Sequence, residues 1–164
     1  MSKTREDFLI RSAKPEDEAI IVEMIQGLAL YEKAPEQCFA TVEKVRAQIF
    51  GPHPAAEVIL AFVGDEAVGM TLFFQTFSTW VCKPGLYLED LFVKPEYRKR
   101  GIGGALLRRL AAIAVERDYG RIEWACLEWN ELAKEQYRKM GAAPLEAWRT
   151  WRLSGEDIKA FADS

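Results

Sequence analysis

The sequence predicts an α/β protein built on a central mixed β-sheet with helices on both faces. Two strand-like runs, 58–63 and 68–77, are joined by Gly64-Asp65-Glu66, a hairpin signature. From residue 86 onward the pattern reads strand, helix, strand, helix, strand. Proline opens the first helical stretch and glycine closes the later ones.

The elements follow in order. Residues 8–13 read as a short strand. Pro15 suits the first turn of a helix, with Glu16, Asp17 and Glu18 at its positive end. Ile20, Ile21, Met24, Ile25 and Leu28 recur at helical spacing and form its apolar face. A second helix over 41–50 stops at Gly51-Pro52. After the hairpin comes a strand at 86–93, then a long helix over 101–118 capped by Gly120. A strand at 121–127, a helix at 130–140 ended by Gly141, and a last strand near 148–153 complete the chain.

Composition narrows the function classes. With 164 residues, 49% apolar, the chain is the size of one domain, expected to span 1–164. Charged residues at 29% in ordinary mixture exclude intrinsic disorder. A net charge of −3 gives no pull toward nucleic acid or anionic lipid. No apolar run approaches the roughly 18 residues of a membrane span, and residues 1–7 are charged with no apolar stretch behind them, so no secretory signal is visible. A soluble, cytoplasmic protein is expected. Cys38, Cys82 and Cys126 are odd in number and about 44 residues apart, which argues against a disulfide framework or a zinc site. The single histidine, His53, lies in the turn-rich Gly51-Pro52-His53-Pro54, which disfavours a His-dependent triad. No metal is expected.

The most informative stretch is Lys94-Pro95-Glu96-Tyr97-Arg98-Lys99-Arg100-Gly101-Ile102-Gly103-Gly104, between a strand and the long helix. Backbone N–H groups and the helix dipole favour a phosphate there, and glycines let the backbone come close to an anion. From Lys94 to Arg109 there are six cations against the single acid Glu96, a local +5 in a chain of net −3. A phosphorylated ligand accounts for that contrast; a solvated basic helix start is the alternative. No Gly-Lys-Ser/Thr follows, so this is not a P-loop, and Leu106 replaces the third glycine of a dinucleotide fingerprint.

Arg98-Lys99-Arg100-Gly101-Ile102-Gly103 resembles the R/Q-x-x-G-x-G/A segment of the GNAT acyl-coenzyme A N-acyltransferases. The segment from Asn130 through Ala133 and Tyr137 to Gly141 resembles the same family's N-x-x-A-x-x-x-Y-x-x-x-G segment. With the N-terminal strand and the Pro-started helix, the resemblance covers nearly the whole chain. Leu86–Val93, Glu128-Trp129-Asn130 and Leu30-Tyr31-Glu32 are further similar to the diamine (spermidine/spermine) and thialysine acetyltransferase branch.

The resemblance implies the GNAT fold and acetyl-coenzyme A as co-substrate. Backbone amides across Arg98, Lys99, Arg100, Gly101, Ile102, Gly103 and Gly104 would hold the pyrophosphate, and the strand edge at Leu91, Phe92 and Val93 would pair with the pantetheine amides. Asn130 would cap its helix and support the cofactor arm, and Lys139, with Arg138 beside it, would reach phosphate or simply be solvated. Tyr137 would be the general acid. A phenol near pKa 10 facing a thiol near 8.5 makes full proton transfer uphill by roughly 2 kcal/mol, so hydrogen bonding to the developing thiolate is the main expected effect.

Glu89 and Asp90 are two acids inside an apolar strand, where charge is costly without partners. An amine substrate would supply the partner; surface bases are the alternative. Consecutive strand residues point to opposite faces, so aiming both at one amine requires a β-bulge, which is expected here. The resemblance implies Glu89 as acceptor of the amine proton and Asp90 as holder of the cationic substrate, with Tyr31, Glu32 and Trp80 completing the pocket. Trp129 and Trp148 are read as core or dimer packing.

The expected activity is acetyl transfer to a primary amine of a small diamine, polyamine or lysine-like molecule by direct attack in a ternary complex, in a homodimer. Acetylation of a protein N-terminus or lysine is the alternative within enzymes. A non-catalytic acyl-coenzyme A-binding regulator is the alternative outside them.

Overall fold

The structure is a computed structural model that describes residues 8–164. The charged stretch 1–7, which bears on a secretory signal, lies outside the described residues. The chain divides into two compact units, Met1–Ala125 and Cys126–Ser164.

The first unit holds a five-stranded sheet in the order β1-β2-β3-β4-β5. Its strands are β1 (Leu9–Ser12), β2 (Glu57–Val63), β3 (Glu66–Ser78), β4 (Lys83–Val93) and β5 (Ile122–Trp124). The first four pair antiparallel, and β5 joins β4 in parallel, so the sheet is mixed as expected. The β2–β3 hairpin turns on Gly64 and Asp65 alone, with Val63 paired to Glu66. Gly64 adopts φ +58°, which this tight turn requires.

The helices of this unit are α1 (Glu18–Tyr31), α2 (Val42–Ile49) and α3 (Ile102–Glu116). Pro15 opens a short 3-10 turn before α1. Thr41 caps α2 by accepting a hydrogen bond from the Lys44 backbone N–H at 3.3 Å. Ile21, Met24 and Val45 pack with Val58, Leu60, Phe62, Met70 and Phe92 into one core layer, and Ile20, Ile25 and Leu28 flank it, so the predicted face of α1 is the buried one. On the opposite face, Gly69 brings β3 against α3: a Cβ there would meet Ile102 at 3.3 Å and Leu106 at 3.4 Å. Successive strand residues therefore feed two core layers, one under α1 and α2 and one under α3.

The entry to α1 is tied down by charge. Arg11 donates to both carboxylate oxygens of Asp17, at 2.6 and 2.9 Å, and the Lys14 backbone N–H donates to Asp17 Oδ2 at 2.7 Å. Asp17 is only 5% exposed, and the Arg11 guanidinium holds its carboxyl below the usual carboxylate range.

Two sequence expectations need correction. The long helix is not capped by Gly120: it ends at Glu116, and Asp118 takes the left-handed conformation with φ +54°. Asp118 N–H bonds to Val115 O at 3.1 Å and Tyr119 N–H to Ala114 O at 2.8 Å, a Schellman closure that aspartate tolerates. The second correction concerns the C-terminal unit. It contains α4 (Glu131–Lys139) and α5 (Glu156–Ala162), and the strand expected at 148–153 does not form. A strand needs a ladder partner for its backbone groups, and the sheet ends at β5. The short α5, which the residue pattern does not announce, follows Gly155, its N-cap, at φ +62°.

Candidate active site

The strand acids sit on a bulge. Leu72 of β3 pairs with Asp90, and the next residue, Phe73, pairs with Leu88, which leaves Glu89 as the extra residue of β4. The expected bulge is present, and it breaks the strict alternation that would send neighbouring side chains to opposite faces. Glu89 is exposed and Asp90 half-buried. Burial first, then the negative charges of Glu89 and Glu32, push the Asp90 carboxyl up to about 6. The three acids thus form one electrostatic group, drawn from β4 and the end of α1.

Pairing with β5 stops at Leu88, opposite Trp124. Past that point, Leu91, Phe92 and Val93 are laddered to β3 on one side only among the described residues. Their other edge offers backbone donors and acceptors to an extended ligand. Phe92 itself is a core side chain, so any role in such pairing belongs to its backbone.

A 3-10 turn, Pro95–Tyr97, leads from β4 into the glycine segment, where Lys99 has φ +63° and Gly101 φ +88°. Ala105 is the first α3 residue to donate within the helix, to Gly101 O at 3.0 Å. The amides of Ile102, Gly103 and Gly104 are first-turn donors without intrahelical acceptors. A Cβ at Gly101 would meet nothing within 4 Å, and at Gly103 it would meet only Val93 at 3.8 Å. Packing inside the chain therefore does not demand glycine at 103, and the open space beside it leaves room for close approach of an anion. The residues present fit a coenzyme A pyrophosphate.

The local charge excess is smaller than the bare count. Lys94 is neutralised by Glu23 at 2.9 Å and Glu66 at 3.1 Å. Arg109 pairs with Glu116 at 2.7 Å. Arg100 donates to Glu96 O at 3.0 Å and lies 4.8 Å from the Tyr97 ring centre. The Arg98 side chain turns back into the protein, its Nε donating to Val93 O at 2.9 Å and its guanidinium 4.3 Å from the Tyr31 ring centre. Arg108 is a residue that the motif pattern does not single out. A guanidinium nitrogen of Arg108 lies 3.5 Å from where a Gly104 Cβ would stand, and the i, i+4 spacing from Gly104 on a helix is the signal that could have found it.

Of the expected substrate residues, Tyr31 and Glu32 end α1, and Glu32 is electrostatically joined to Asp90. Trp80 is not brought to them. It lies in the turn beyond Ser78, 89% exposed, whereas Asp90 is seven strand positions from Lys83, the partner of Ser78. At about 3.3 Å per residue that separates them by about 20 Å along the strand. Strand geometry, which the residue types alone do not encode, removes Trp80 from this chain's acidic group.

In the C-terminal unit, Asn130 caps α4, its Oδ1 accepting from the Ala133 N–H at 3.3 Å. Tyr137 is half-buried near the end of α4, and its carbonyl accepts from the Ala142 N–H at 3.1 Å. Gly141 closes the helix at φ +87°. Lys139 is paired with Glu135 at 2.7 Å. Trp129 and Trp148 are 54% and 70% exposed, so neither is a core residue. Among the described residues, no cluster of three or more His, Cys, Asp or Glu could hold a metal, and no helix is long and apolar enough to cross a membrane.

The Acetyltransferase (GNAT) family model matches residues 23–142. The chain is 36% identical over 160 residues to a thialysine N-epsilon-acetyltransferase of Caenorhabditis elegans, covering 96% of this chain and 98% of the relative. It is also 36% identical over 165 residues to the Sus scrofa enzyme of the same name, covering 94% of this chain and 96% of that relative. Among solved structures, an integron cassette protein from the mobile metagenome of V. cholerae superposes with a TM-score of 0.81 at 24% identity, covering 96% of this chain and 98% of that one, which shows the shared fold. A glycine-rich segment at the start of α3, a bulged β4 carrying acids, and these matches lead to one assignment: the chain belongs to the GNAT acetyltransferase family.

Proposed function

We propose that this protein transfers an acetyl group from acetyl-coenzyme A to the terminal amine of a lysine-like or diamine substrate. The observation that carries the substrate class is the Glu32–Glu89–Asp90 group, in which burial first and then mutual repulsion hold Asp90 at about 6. A cationic amine relieves that repulsion, while a neutral substrate does not. The relatives named as thialysine acetyltransferases support the same class.

In this reading the amides of Gly101, Ile102, Gly103 and Gly104 bind the pyrophosphate, Arg98, Lys99 and Arg100 contribute their backbone, and the free edge at Leu91 to Val93 orients the thioester arm. Asn130 and Lys139 support the cofactor. Asp90 holds the ammonium form of the substrate. Glu89 takes the proton as the amine nitrogen bonds to the thioester carbon. Tyr137 hydrogen-bonds the sulfur as the carbon–sulfur bond breaks and supplies its proton. A pKa of about 6 also suits Asp90 to the role of base, which gives a second assignment with the two carboxylates exchanged. The protein works without a metal, in the cytoplasm, as one GNAT domain over 1–164. A homodimer belongs to the same proposal, supported by the exposed Trp148 and Trp151 in a segment of strand-forming sequence with no partner strand among the described residues.

An acetyl-transfer screen over thialysine, diamines, polyamines and peptide amines, read by thiol release, tests this function. Transfer to small diamino compounds is expected. Transfer to peptides alone would establish the protein-acetylating alternative, and binding of acetyl-coenzyme A without transfer to any amine would establish the regulator.

A further inference from the structure

We propose that Arg98 is a positioning residue that clamps Tyr31 to the cofactor loop and so makes amine affinity depend on that loop. The proposal rests on the acetyl-transfer function proposed for this site and adds to it a physical link between the two substrates' sites.

Arg98 has its backbone in one site and its side chain beneath the other. Its backbone is extended, with φ −68° and ψ 162°, and leads directly into Lys99 and the glycines. Its side chain reverses direction. Nε donates to the Val93 carbonyl at 2.9 Å, which fixes the plane of the guanidinium. That plane lies 4.3 Å from the centre of the Tyr31 ring and 5.9 Å from that of Phe92. One half-buried side chain therefore joins the end of β4, the start of the anion loop and the last residue of α1.

The far side of the clamp is the acidic group. Glu32 follows Tyr31 as the C-cap of α1, its N–H bonded to Leu28 O at 2.9 Å. Lys33 then breaks the helix in the left-handed region at φ +61°, an uncommon conformation for lysine that sets the chain direction just after Glu32. Displacing the Tyr31 ring moves Glu32 relative to Asp90, and the field that would hold a cationic amine changes with it. A ligand that orders the Arg98 loop therefore strengthens amine binding, and by linkage a bound amine strengthens cofactor binding equally.

The chemistry of the contact selects arginine. A planar guanidinium can stack on an aromatic face while its edge donates to a carbonyl; an ammonium is a single strongly hydrated point and does not do both. Arg98→Lys thus preserves charge near the phosphate site while breaking the clamp.

The experiment measures acetyl transfer to thialysine and, separately, coenzyme A affinity by calorimetry, with thermal melts confirming that each variant is folded. Arg98→Lys and Tyr31→Leu should each raise the KM for thialysine by about tenfold, the scale of a lost partly buried cation–π contact. In both, the loss should fall more on the thialysine KM than on kcat or on coenzyme A affinity measured without amine. The double variant should be no worse than either single one. Tyr31→Phe keeps the ring and should retain the wild-type KM. Weakened coenzyme A affinity in Arg98→Lys with an unchanged thialysine KM, or additive losses in the double variant, would overturn the clamp while leaving the functional reading intact. Absence of transfer by the wild-type protein would overturn that reading, and the clamp with it.

Discussion

Glu89 stands beside Asp90 with no residue of β3 opposite it, because the register of the two strands slips by one between Leu72 and Phe73. This places an exposed carboxylate next to a half-buried one, and burial first, then the charges of Glu89 and Glu32, raise the proton affinity of Asp90. The two side chains therefore sit in different surroundings and are tested separately.

A primary aliphatic amine has a pKa near 10.4, so about one molecule in 10³ is the free nucleophile at neutral pH. If Glu89 accepts the proton, Glu89→Gln should depress turnover most at low pH and recover as pH rises toward the amine's pKa. Asp90→Asn should mainly raise the KM for the amine with little pH dependence. Profiles with the two behaviours exchanged would assign the base to Asp90, and equal flat losses would remove the division of roles.

Asp90 also affects stability. Its folded-state pKa is raised from 3.8 to about 6, so the folded protein holds this proton more tightly than the unfolded chain. Stability is therefore greatest with Asp90 protonated and is lost as pH rises through about 6. Asp90→Asn should make the fold more stable than wild type by about 2 kcal/mol above about pH 7, the gap closing toward about pH 4. Urea titrations across that range check it; a pH-independent difference would contradict burial and neighbouring charge as the origin of the shift.

Gly103 tests the cofactor loop without disturbing packing, since an added Cβ would meet only Val93 at 3.8 Å. Gly103→Ala should fold with equal or slightly higher stability, by up to about 1 kcal/mol, while coenzyme A affinity falls. Gly103→Glu should abolish binding by adding a negative charge beside the phosphate. Calorimetry showing unchanged affinity in a folded Gly103→Glu variant would remove the loop from the cofactor site.

Tyr137 is half-buried near the end of α4. Tyr137→Phe should preserve fold and cofactor affinity while lowering kcat about 10²-fold or more, the usual scale for a lost general acid. Full turnover in this variant would leave solvent as the proton donor.

Asp17 concerns stability alone. Its pKa is lowered chiefly by the hydrogen bonds from Arg11, so its contribution is present above the usual carboxylate range and is lost as pH falls through the lowered value. Asp17→Ala leaves Arg11 without its carboxylate partner and should cost about 3 kcal/mol at neutral pH. Comparison of chemical denaturation at neutral and acid pH should show the loss shrinking in acid.

Most of the first unit was legible in the residues. The apolar spacing of α1, the two-residue turn at Gly64 and the bulge at Glu89 are each dictated by local geometry: helical period, positive φ and strand alternation. The cap of α3 was not, because Asp118 adopts a conformation that Gly120 was the better candidate for by residue type.

The glycine-rich segment before α3, the helix that carries Tyr137 and the pair of acids were legible in the residues alone, since each is a matter of a few adjacent residues and their intrinsic chemistry. Which distant groups meet was set by tertiary packing. It joined Glu32 to Asp90, laid Arg98 over Tyr31, and carried Trp80 about 20 Å along the β3–β4 hairpin from Asp90. It also left 148–153 without a ladder. Local periodicity reports which face a side chain takes, whereas register and strand length, set by pairing with other segments, decide which side chains share a site.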